Sequence, residues 1–248
     1  MEQWISNFNT TAEFAAFSGT SECLIPHVSL TNDNDKVHFI SPYKSRAYVE
    51  IGGLKWATMN IGAKTITDVG LFFQWGDTKG YAADQIGSEI GQKRFYWADY
   101  KYGNGTTSPG TTGMTKYNST DGKTVLDASD DAAAVNWGGV WRMPTTDEYV
   151  SLGNSTTSAW TTDYQGSGVA GLILTSRSDS SKKLFFPAAG RCYAGVVREV
   201  GTNGYLWSSS ISNNDVTQAR VKNFLSSGGG WQAVYYRYNG FSIRAVAD

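Results

Sequence analysis

Histidine is nearly absent from this chain, which limits the chemistry open to it. Of the 248 residues only two are histidine, His27 and His38, so residues 46–248 contain none. A Ser-His-Asp or Cys-His catalytic arrangement and a histidine-based zinc site both need imidazole groups that this stretch does not have. We therefore expect a protein that is not an enzyme, with no catalytic residues, no metal and no cofactor.

Cysteine and charge are also scarce. Cys23 and Cys192 are the only cysteines and lie far apart, so we expect two free thiols and no disulfide framework. Charged residues make up 17% of the chain, below the usual share of about a quarter. The net charge is −1 and no basic tract is present. A nucleic-acid partner is therefore not expected.

Long apolar runs are missing as well. No stretch of about 18 apolar residues is present, so we expect no membrane insertion. Met1–Asn7 has neither the basic start nor the apolar stretch of a secretory signal, and no signal peptide is predicted. What the chain does have in excess is glycine (28) and aromatic residues (14 Tyr, 11 Phe and 9 Trp). This combination favours a fold rich in turns and strands over a helical bundle.

Residues 1–45 differ in pattern from the rest of the chain. Thr10–Glu13 matches a helix capping box ahead of a short amphipathic turn. Alternating apolar residues predict strands at Val28–Leu30 and Val37–Ile40, on either side of a turn at Asn32–Asp35. Because this piece is too small to form a good core of its own, we expect an attachment or oligomerisation segment that supports a homo-oligomer such as a trimer.

Residues 46–248 are predicted to form one domain, which begins with a hairpin. Tyr48–Ile51 and Leu54–Ala57 flank the turn Gly52-Gly53. A further strand is predicted at Leu71–Trp75 from its run of apolar and aromatic residues. The domain therefore starts as antiparallel β-structure.

The middle of the domain is irregular and is followed by two predicted helices. Residues 76–128 are rich in Gly, Thr, Ser and Asp, and a calcium site built from carboxylates and carbonyls stays open there. One helix is predicted at 130–136, with Ser129 as its cap. The other begins at the capping box Thr145–Glu148 and ends at Gly153.

The C-terminal part alternates short apolar runs with turn residues, which predicts strands. These runs are Gly171–Thr175, Lys183–Phe186, Tyr205–Ser208, Ala219–Phe224, Ala233–Tyr236 and Phe241–Val246. No repeat of fixed period is present, so solenoids and propellers are not expected. Together with the two short helices, the pattern predicts an α+β fold with abundant loops.

Three sequence segments resemble two related families. Gly138–Tyr149 resembles the "W-R-L-P-T-x-x-E-W" segment of formylglycine-generating-enzyme-like domains. Gly204–Ser210 and Arg237–Arg244 resemble the "Y-W-S-S-S … G-F-S-V-R" ending of a related bacterial and phage family. The resemblance covers about residues 46–248 and implies a C-type-lectin-like fold.

Many members of that family are variable proteins of diversity-generating retroelements. The resemblance implies a ligand-binding protein with a variable region at about residues 190–244, located in a phage tail or on a bacterial cell surface. Its partner would be a protein or glycan on a target cell. The enzyme branch of the superfamily uses a cysteine pair, whereas Cys192 stands alone in this domain. The tripeptides of calcium-dependent sugar-binding lectins are also missing.

The resemblance separates scaffold from display positions in the C-terminal region. Trp207, Phe241 and Ile243 are expected in the core, with Arg244 as an internal hydrogen-bonding partner. The candidate ligand-binding residues occupy positions where the family commonly carries Asn or Tyr. They are Arg191, Tyr193, Arg198, Glu199, Leu206, Val216, Gln218, Phe224, Leu225, Gln232, Ala233, Val234, Tyr235 and Tyr236.

The run Gln232–Tyr236 indicates exposure by its own pattern. Successive residues of a strand point to opposite faces, so five of them cannot all face one core. Some of these side chains are therefore expected on the surface, where large apolar groups mark contact sites. A twisted strand buried on both faces is the structural alternative. A lectin or adhesin of fixed carbohydrate specificity and a purely structural virion domain are the alternative functions.

Overall fold

The computed structural model describes residues 28–30, 37–39, 46–87, 94–105, 113–228, 230 and 232–248. The chain divides into two units, Met1–Arg46 and Ala47–Asp248. In the first, β1 (Val28–Leu30) pairs antiparallel with β2 (Val37–Phe39), as the alternating pattern predicts. The predicted capping box at 10–13 and the turn at 32–35 lie outside the described residues.

In the residues that the structure describes, the second unit combines small antiparallel sheets with two α-helices and is α+β. The strands are β3 (Tyr48–Ile51), β4 (Leu54–Asn60), β5 (Thr156–Thr161), β6 (Gly171–Ser176), β7 (Lys183–Pro187), β8 (Arg191–Tyr193), β9 (Val196–Arg198), β10 (Asn203–Ile211), β11 (Gln218–Leu225), β12 (Ala233–Tyr236) and β13 (Arg244–Ala247), and the helices are α1 (Ala132–Trp137) and α2 (Thr146–Ser155). Three sheets have three strands each, in the orders β13-β4-β3, β5-β6-β7 and β10-β11-β12, and β8 pairs with β9.

The predicted hairpin at the start of the domain is confirmed. β3 and β4 pair directly across the turn Gly52-Gly53, where φ is 64° and 83°. Two consecutive positive φ angles are what a two-residue hairpin turn of the favoured hand requires, and glycine adopts them without steric cost. β13 pairs with the other side of β4, so the C-terminus closes this sheet.

The first helix begins later than predicted, and its cap is a different residue. Asp131 caps α1: its Oδ1 accepts hydrogen bonds from the N–H groups of Ala133 and Ala134 at 2.8 and 3.0 Å. Its Oδ2 accepts from Met143 N at 2.8 Å. The prediction of Ser129 as cap was wrong. The carboxylate of Asp131 instead accepts hydrogen bonds both from the first N–H groups of α1 and from the segment that leads into α2.

The second helix is confirmed at its start. Thr145 Oγ1 accepts from Glu148 N at 3.3 Å, and Glu148 Oε2 accepts from Thr145 N at 2.7 Å, which completes the capping box. Arg142 Nη1 donates to the same carboxylate at 2.8 Å. The helix continues to Ser155, two residues beyond the predicted end.

Several strand predictions need correction. Leu71–Trp75 is not a strand, because only single bridges form there, Phe72 with Tyr81 and Phe73 with Phe241. The last strand begins at Arg244 rather than at Phe241. β5, β8 and β9 were not predicted; β5 is rich in Thr and Ser, and β8 and β9 have only three residues each.

The irregular stretch before α1 is anchored by a carboxylate at its end. Asp130 accepts hydrogen bonds from Lys101 Nζ at 3.0 Å, Lys116 Nζ at 2.5 Å and Tyr117 Oη at 2.6 Å. Burial alone would raise the pKa of Asp130, but the bonds from Lys116 and its neighbours hold that pKa below its usual range. Cationic and phenolic donors therefore surround this buried carboxylate, and it has a structural role.

The core residues expected from the C-terminal pattern are confirmed. Trp207, Phe241 and Ile243 are buried, and Trp207 Nε1 donates to the carbonyl of Phe73 at 2.8 Å. The guanidinium of Arg244 is also buried and donates to Asn60, Ala57 and Phe185 at 2.9–3.0 Å. Among the residues that the structure describes, no helix has the length and apolar character that crossing a membrane requires.

Candidate binding surface

The sheet β10-β11-β12 carries most of the candidate residues and has two distinct faces. Leu206 is paired with Lys222, and Arg220 with Val234, so these four side chains share one face. We call it the helix face, because α2 packs against its β10 end. Tyr235 is paired with Ala219 and lies on the opposite face, which packs on Phe241 and is called the core face.

The helix face is buried at one end and open at the other. Leu206 and Phe224 belong to the hydrophobic core together with Tyr149 and Leu152 of α2. Their expected place in the ligand-binding surface was wrong, because α2 and the sheet β5-β6-β7 cover this end. A family pattern gives the position of a residue in the chain and does not show which element covers it.

At the open end of the helix face, β12 presents apolar side chains to solvent. Val234 is 40% exposed and Tyr236 is 39% exposed. Gln218 and Arg220 of β11 lie beside them, paired with Tyr236 and Val234 respectively, and both are partly buried. The predicted exposure within Gln232–Tyr236 is thereby confirmed for alternate residues, as strand geometry requires.

The core face places Tyr235 over an aromatic cluster. Its ring lies 5.4 Å from that of Tyr205 and 5.2 Å from that of Phe241, in edge-on contacts. Trp207 packs on Phe241 from below, with ring centroids 4.4 Å apart. Tyr235 and Ala233 remain partly exposed above this cluster. Rigid buried rings thus hold the edge of the sheet in place.

A polar cluster borders the core face and joins the β8–β9 hairpin to it. The guanidinium of Arg191 lies 5.6 Å from the ring centre of Tyr235 and donates to Glu199 Oε1 at 3.0 Å. Glu199 Oε2 accepts from Tyr205 Oη at 2.7 Å and from Asn203 Nδ2 at 3.2 Å. Partial burial would raise the pKa of Glu199, but these donors lower it below its ordinary value. Arg191 and Glu199, two candidate residues of opposite charge, are therefore held beside the partly exposed ring of Tyr235.

The β8–β9 hairpin adds exposed groups next to this cluster. Tyr193 is 41% exposed, and its ring lies 6.0 Å from that of Tyr238, on which Tyr236 stacks at 5.7 Å. Arg198 is also exposed. A row of tyrosine rings therefore connects the hairpin with β12, so candidate residues far apart in sequence are brought together.

Three further candidate residues are partly buried and less central. Val216 lies in the turn before β11, and Leu225 ends β11. Gln232 donates to the carbonyl of Thr146 at 3.4 Å. It lines a groove of about 390 Å³ whose other lining residues are Val150, Gly153, Asn154, Thr156, Thr157, Ser158 and Arg177. This groove contains no tryptophan and no acidic residue.

Sequence reasoning missed several residues that contribute to this surface. Tyr238 and Asn203 hold candidate side chains through a ring contact and a hydrogen bond. Val196 and Val200 are exposed beside Tyr193 and Arg198, at 41% and 58%. The adjacent β-branched residues Val196 and Val197 were the available signal, but two such residues are too few to indicate a strand.

The described residues offer little for covalent or metal chemistry. Cys192 is fully buried, and desolvation raises the pKa of its thiol to about 12, so it does not form a reactive thiolate at neutral pH. No group of three or more His, Cys, Asp or Glu side chains that could hold a metal ion occurs in the described part of the chain. Comparisons of the chain with protein-family models, curated proteins and solved structures give no match.

Proposed function

We propose that this protein is a receptor- or ligand-binding protein that displays a binding face on a C-type-lectin-like scaffold. In this proposal its target is a protein or glycan on a cell surface, and it acts in a phage tail or on a bacterial cell. The observation that carries the proposal is the edge of the C-terminal sheet together with the adjacent β8–β9 hairpin. There Tyr193, Val234 and Tyr236 are exposed, while buried Trp207 and Phe241 fix the backbone beneath them.

The chemistry of this edge supports binding to another macromolecule. Exposed apolar groups cluster on β12 and the β8–β9 hairpin, and Arg191 and Arg198 lie among them. Tyrosine and arginine are enriched among the residues that contribute most at protein contact surfaces, and tyrosine gains a large contact area for little lost conformational freedom. The rings of Tyr193, Tyr236 and Tyr238 are already ordered by their mutual contacts.

The alternative functions receive less support from the same surface. A purely structural virion domain would leave no exposed tyrosine patch in the C-terminal region, whereas Tyr193 and Tyr236 are 41% and 39% exposed. A lectin of fixed specificity would be expected to have a sugar groove lined by tryptophan and acids. The groove beside Gln232 is lined by Val150 and Gly153 and by hydroxyl, amide and guanidinium groups instead.

Binding of the labelled full chain to a panel of bacterial cells tests the proposal. Once a cell type that binds is found, Tyr193→Ala and Tyr236→Ala should each weaken binding by roughly 30-fold, equivalent to about 2 kcal/mol. Val140→Ala is the matched control, because Val140 is 67% exposed but lies in the turn after α1. Equal binding by all three variants and the wild type would overturn the proposal.

A second test concerns the DNA that encodes the protein. If the surface is diversified, a near-repeat of the DNA encoding residues 190–244 should lie close by and differ from it at adenines. Sequencing the flanking DNA provides this result independently of any ligand. Absence of such a repeat would favour a fixed-specificity binding protein with the same surface.

A further inference from the structure

β12 is an edge strand, and alternate backbone N–H and C=O groups along it point away from β11. β12 pairs with β11, and no described strand pairs with its other side. Arg237 N donates to Thr217 O at 3.0 Å, whereas Gln218 O accepts from Ser212 N on the opposite side of β11. Because these directions alternate along a strand, Tyr235 bonds to β11, and the N–H groups of Val234 and Tyr236 face outward.

Within its four residues this edge has no charged side chain, no proline and no bulge. Natural edge strands carry charged side chains, proline or bulges that interrupt regular pairing with other chains. The sequence of β12 is Ala-Val-Tyr-Tyr, which is uncharged and favours β-structure. Its pairing with β11 is regular: Ala233 lies opposite Val221, Tyr236 lies opposite Gln218, and the register does not shift between them. β12 is therefore a regular template for a further strand.

The candidate binding residues lie on both sides of this template. Val234 and Tyr236 belong to the helix face, whereas Tyr235 and Ala233 belong to the core face, beside Arg191. A ligand resting on one face would contact only one of these sets. A strand added at the edge would contact both, because its own side chains alternate between the same two faces.

We propose that an extended segment of the target protein adds to β12 as a fourth strand of the sheet. This inference rests on the binding function proposed above and names its partner as a polypeptide. The backbone at Val234 and the N–H of Tyr236 would supply the main-chain hydrogen bonds. A glycan cannot supply the matching repeat of amide N–H and C=O groups.

The side chains around the edge define the preferred peptide. Arg220 lies on the helix face beside Val234 and forms no ion pair with any residue in the described ranges. An acidic residue of the added strand would pair with it. On the core face, the partly exposed ring of Tyr235 offers apolar surface to an aliphatic or aromatic residue. The partner segment therefore alternates acidic and apolar side chains.

Two substitutions at one position separate main-chain from side-chain binding. Val234→Pro removes an outward N–H that does not bond to β11, and edge strands tolerate proline at such positions. Val234→Ala keeps the N–H and removes most of the side chain. The probe is a linear peptide selected from a random library on the immobilised full chain. Val234→Pro should weaken its binding about tenfold or more, and Val234→Ala by much less.

Amide hydrogen exchange of the wild-type protein provides a second readout that needs no variant. The Val234 and Tyr236 amides should exchange rapidly in the free protein and become protected when the selected peptide binds. The Tyr235 amide, which already bonds to β11, should change little. This measurement decides the matter even if Val234→Pro fails to fold.

The outcomes distinguish this inference from the proposed function itself. Equal peptide affinity of Val234→Pro and wild type, with unprotected Val234 and Tyr236 amides, would overturn strand addition. So would binding to arrayed glycans alone, with no peptide enriched by selection. In either case Tyr236→Ala would still weaken binding to cells if the surface is functional. If Tyr236→Ala also leaves binding to cells unchanged, the proposed function fails.

Discussion

Trp207 donates its indole N–H to the carbonyl oxygen of Phe73 at 2.8 Å, which ties the C-terminal sheet to a segment more than 130 residues earlier in the chain. Trp75, two residues further along that segment, returns an equivalent bond of 2.8 Å to the carbonyl of Ser208. Both indoles are fully buried. These two reciprocal hydrogen bonds hold β10 in place, and β10 supports the sheet whose exposed edge is β12.

Trp207→Ala should therefore destabilise the protein strongly. Removing a buried aromatic side chain typically costs about 3–5 kcal/mol, and here the carbonyl of Phe73 also loses its donor. Urea unfolding followed by near-ultraviolet circular dichroism measures the change. Trp160→Ala, at a partly buried tryptophan of β5, is the control and should cost clearly less. A loss below about 1 kcal/mol for Trp207→Ala would contradict its assignment to the core.

Lys222 should make the stability of the protein depend on alkaline pH. The side chain is fully buried on the helix face, and desolvation lowers its pKa from 10.5 to about 6. Between these two values the unfolded chain holds a proton that the folded protein does not. The free energy of unfolding should therefore rise as the pH rises from about 6 toward 10.5. Below pH 6 Lys222 is protonated in both states, so its destabilising effect should no longer change with pH.

Lys222→Met tests this relation directly. The variant should be more stable than the wild type at pH 7, because methionine fills a similar volume and has no proton to lose on folding. The difference should shrink as the pH approaches 10. Lys183→Met, at an exposed position of β7, is the matched control and should leave the pH profile unchanged. Parallel pH profiles of Lys222→Met and wild type would show that Lys222 is not the titrating group.

Gly190 should be essential to the β8–β9 hairpin. Its φ is +68°, and an added Cβ would lie 2.1 Å from the carbonyl oxygen of Arg198. Because that neighbour is a backbone atom, it can move only if the hairpin moves with it. The left-handed conformation alone lowers the stability of an alanine variant by about 1 kcal/mol. Gly190→Ala should lower the free energy of unfolding by several times this amount. Gly201→Ala is the control, since Gly201 has a φ of +77° but open space around it.

Thermal melts of these two glycine variants give the comparison. Gly190→Ala should lower the melting temperature by clearly more than Gly201→Ala. It should also weaken any binding that depends on Tyr193, because the hairpin carries that ring to Tyr238. Similar melting temperatures for the two variants would show that the hairpin accommodates the extra methyl group.

Features determined by adjacent residues were predictable from the sequence. The capping box of Thr145 and Glu148 and the hairpin turn at Gly52-Gly53 depend on a few neighbouring positions, and both were placed correctly. Asp131 was missed as a cap because its second oxygen serves Met143, a contact between segments that spacing does not reveal. Local patterns thus gave both helices and the first hairpin, whereas long-range bonds moved the boundaries of the first helix.

The candidate surface was only partly predictable for the same reason. Alternation within β12 indicated that some of its residues are exposed, which holds for Val234 and Tyr236. Leu206 and Phe224 were expected on the same surface, yet α2 and the sheet β5-β6-β7 bury them. Which side of a strand meets solvent depends on elements that are distant in sequence. A single sequence does not contain that information in local form.

Tyr235 and Tyr236 provide the closest test of how scaffold and display are divided. They are adjacent in β12, but Tyr235 packs edge-on against Tyr205 and Phe241, whereas Tyr236 is exposed and stacks on Tyr238. Tyr235→Ala should therefore cost about 2–3 kcal/mol of stability, less than a fully buried aromatic. Tyr236→Ala should cost no more than about 1 kcal/mol, the value of a surface ring contact.

Urea unfolding of both variants, read beside binding to the target cell, separates the two roles. Tyr236→Ala should keep the wild-type unfolding midpoint nearly unchanged and lose binding. Tyr235→Ala should shift the midpoint and also lose binding, because its ring supports Arg191 as well as the edge. Tyr236→Phe should retain most of the stacking on Tyr238 and distinguish the ring from its hydroxyl. If Tyr236→Ala unfolds as readily as Tyr235→Ala, the ring of Tyr236 belongs to the core and the binding face lies elsewhere.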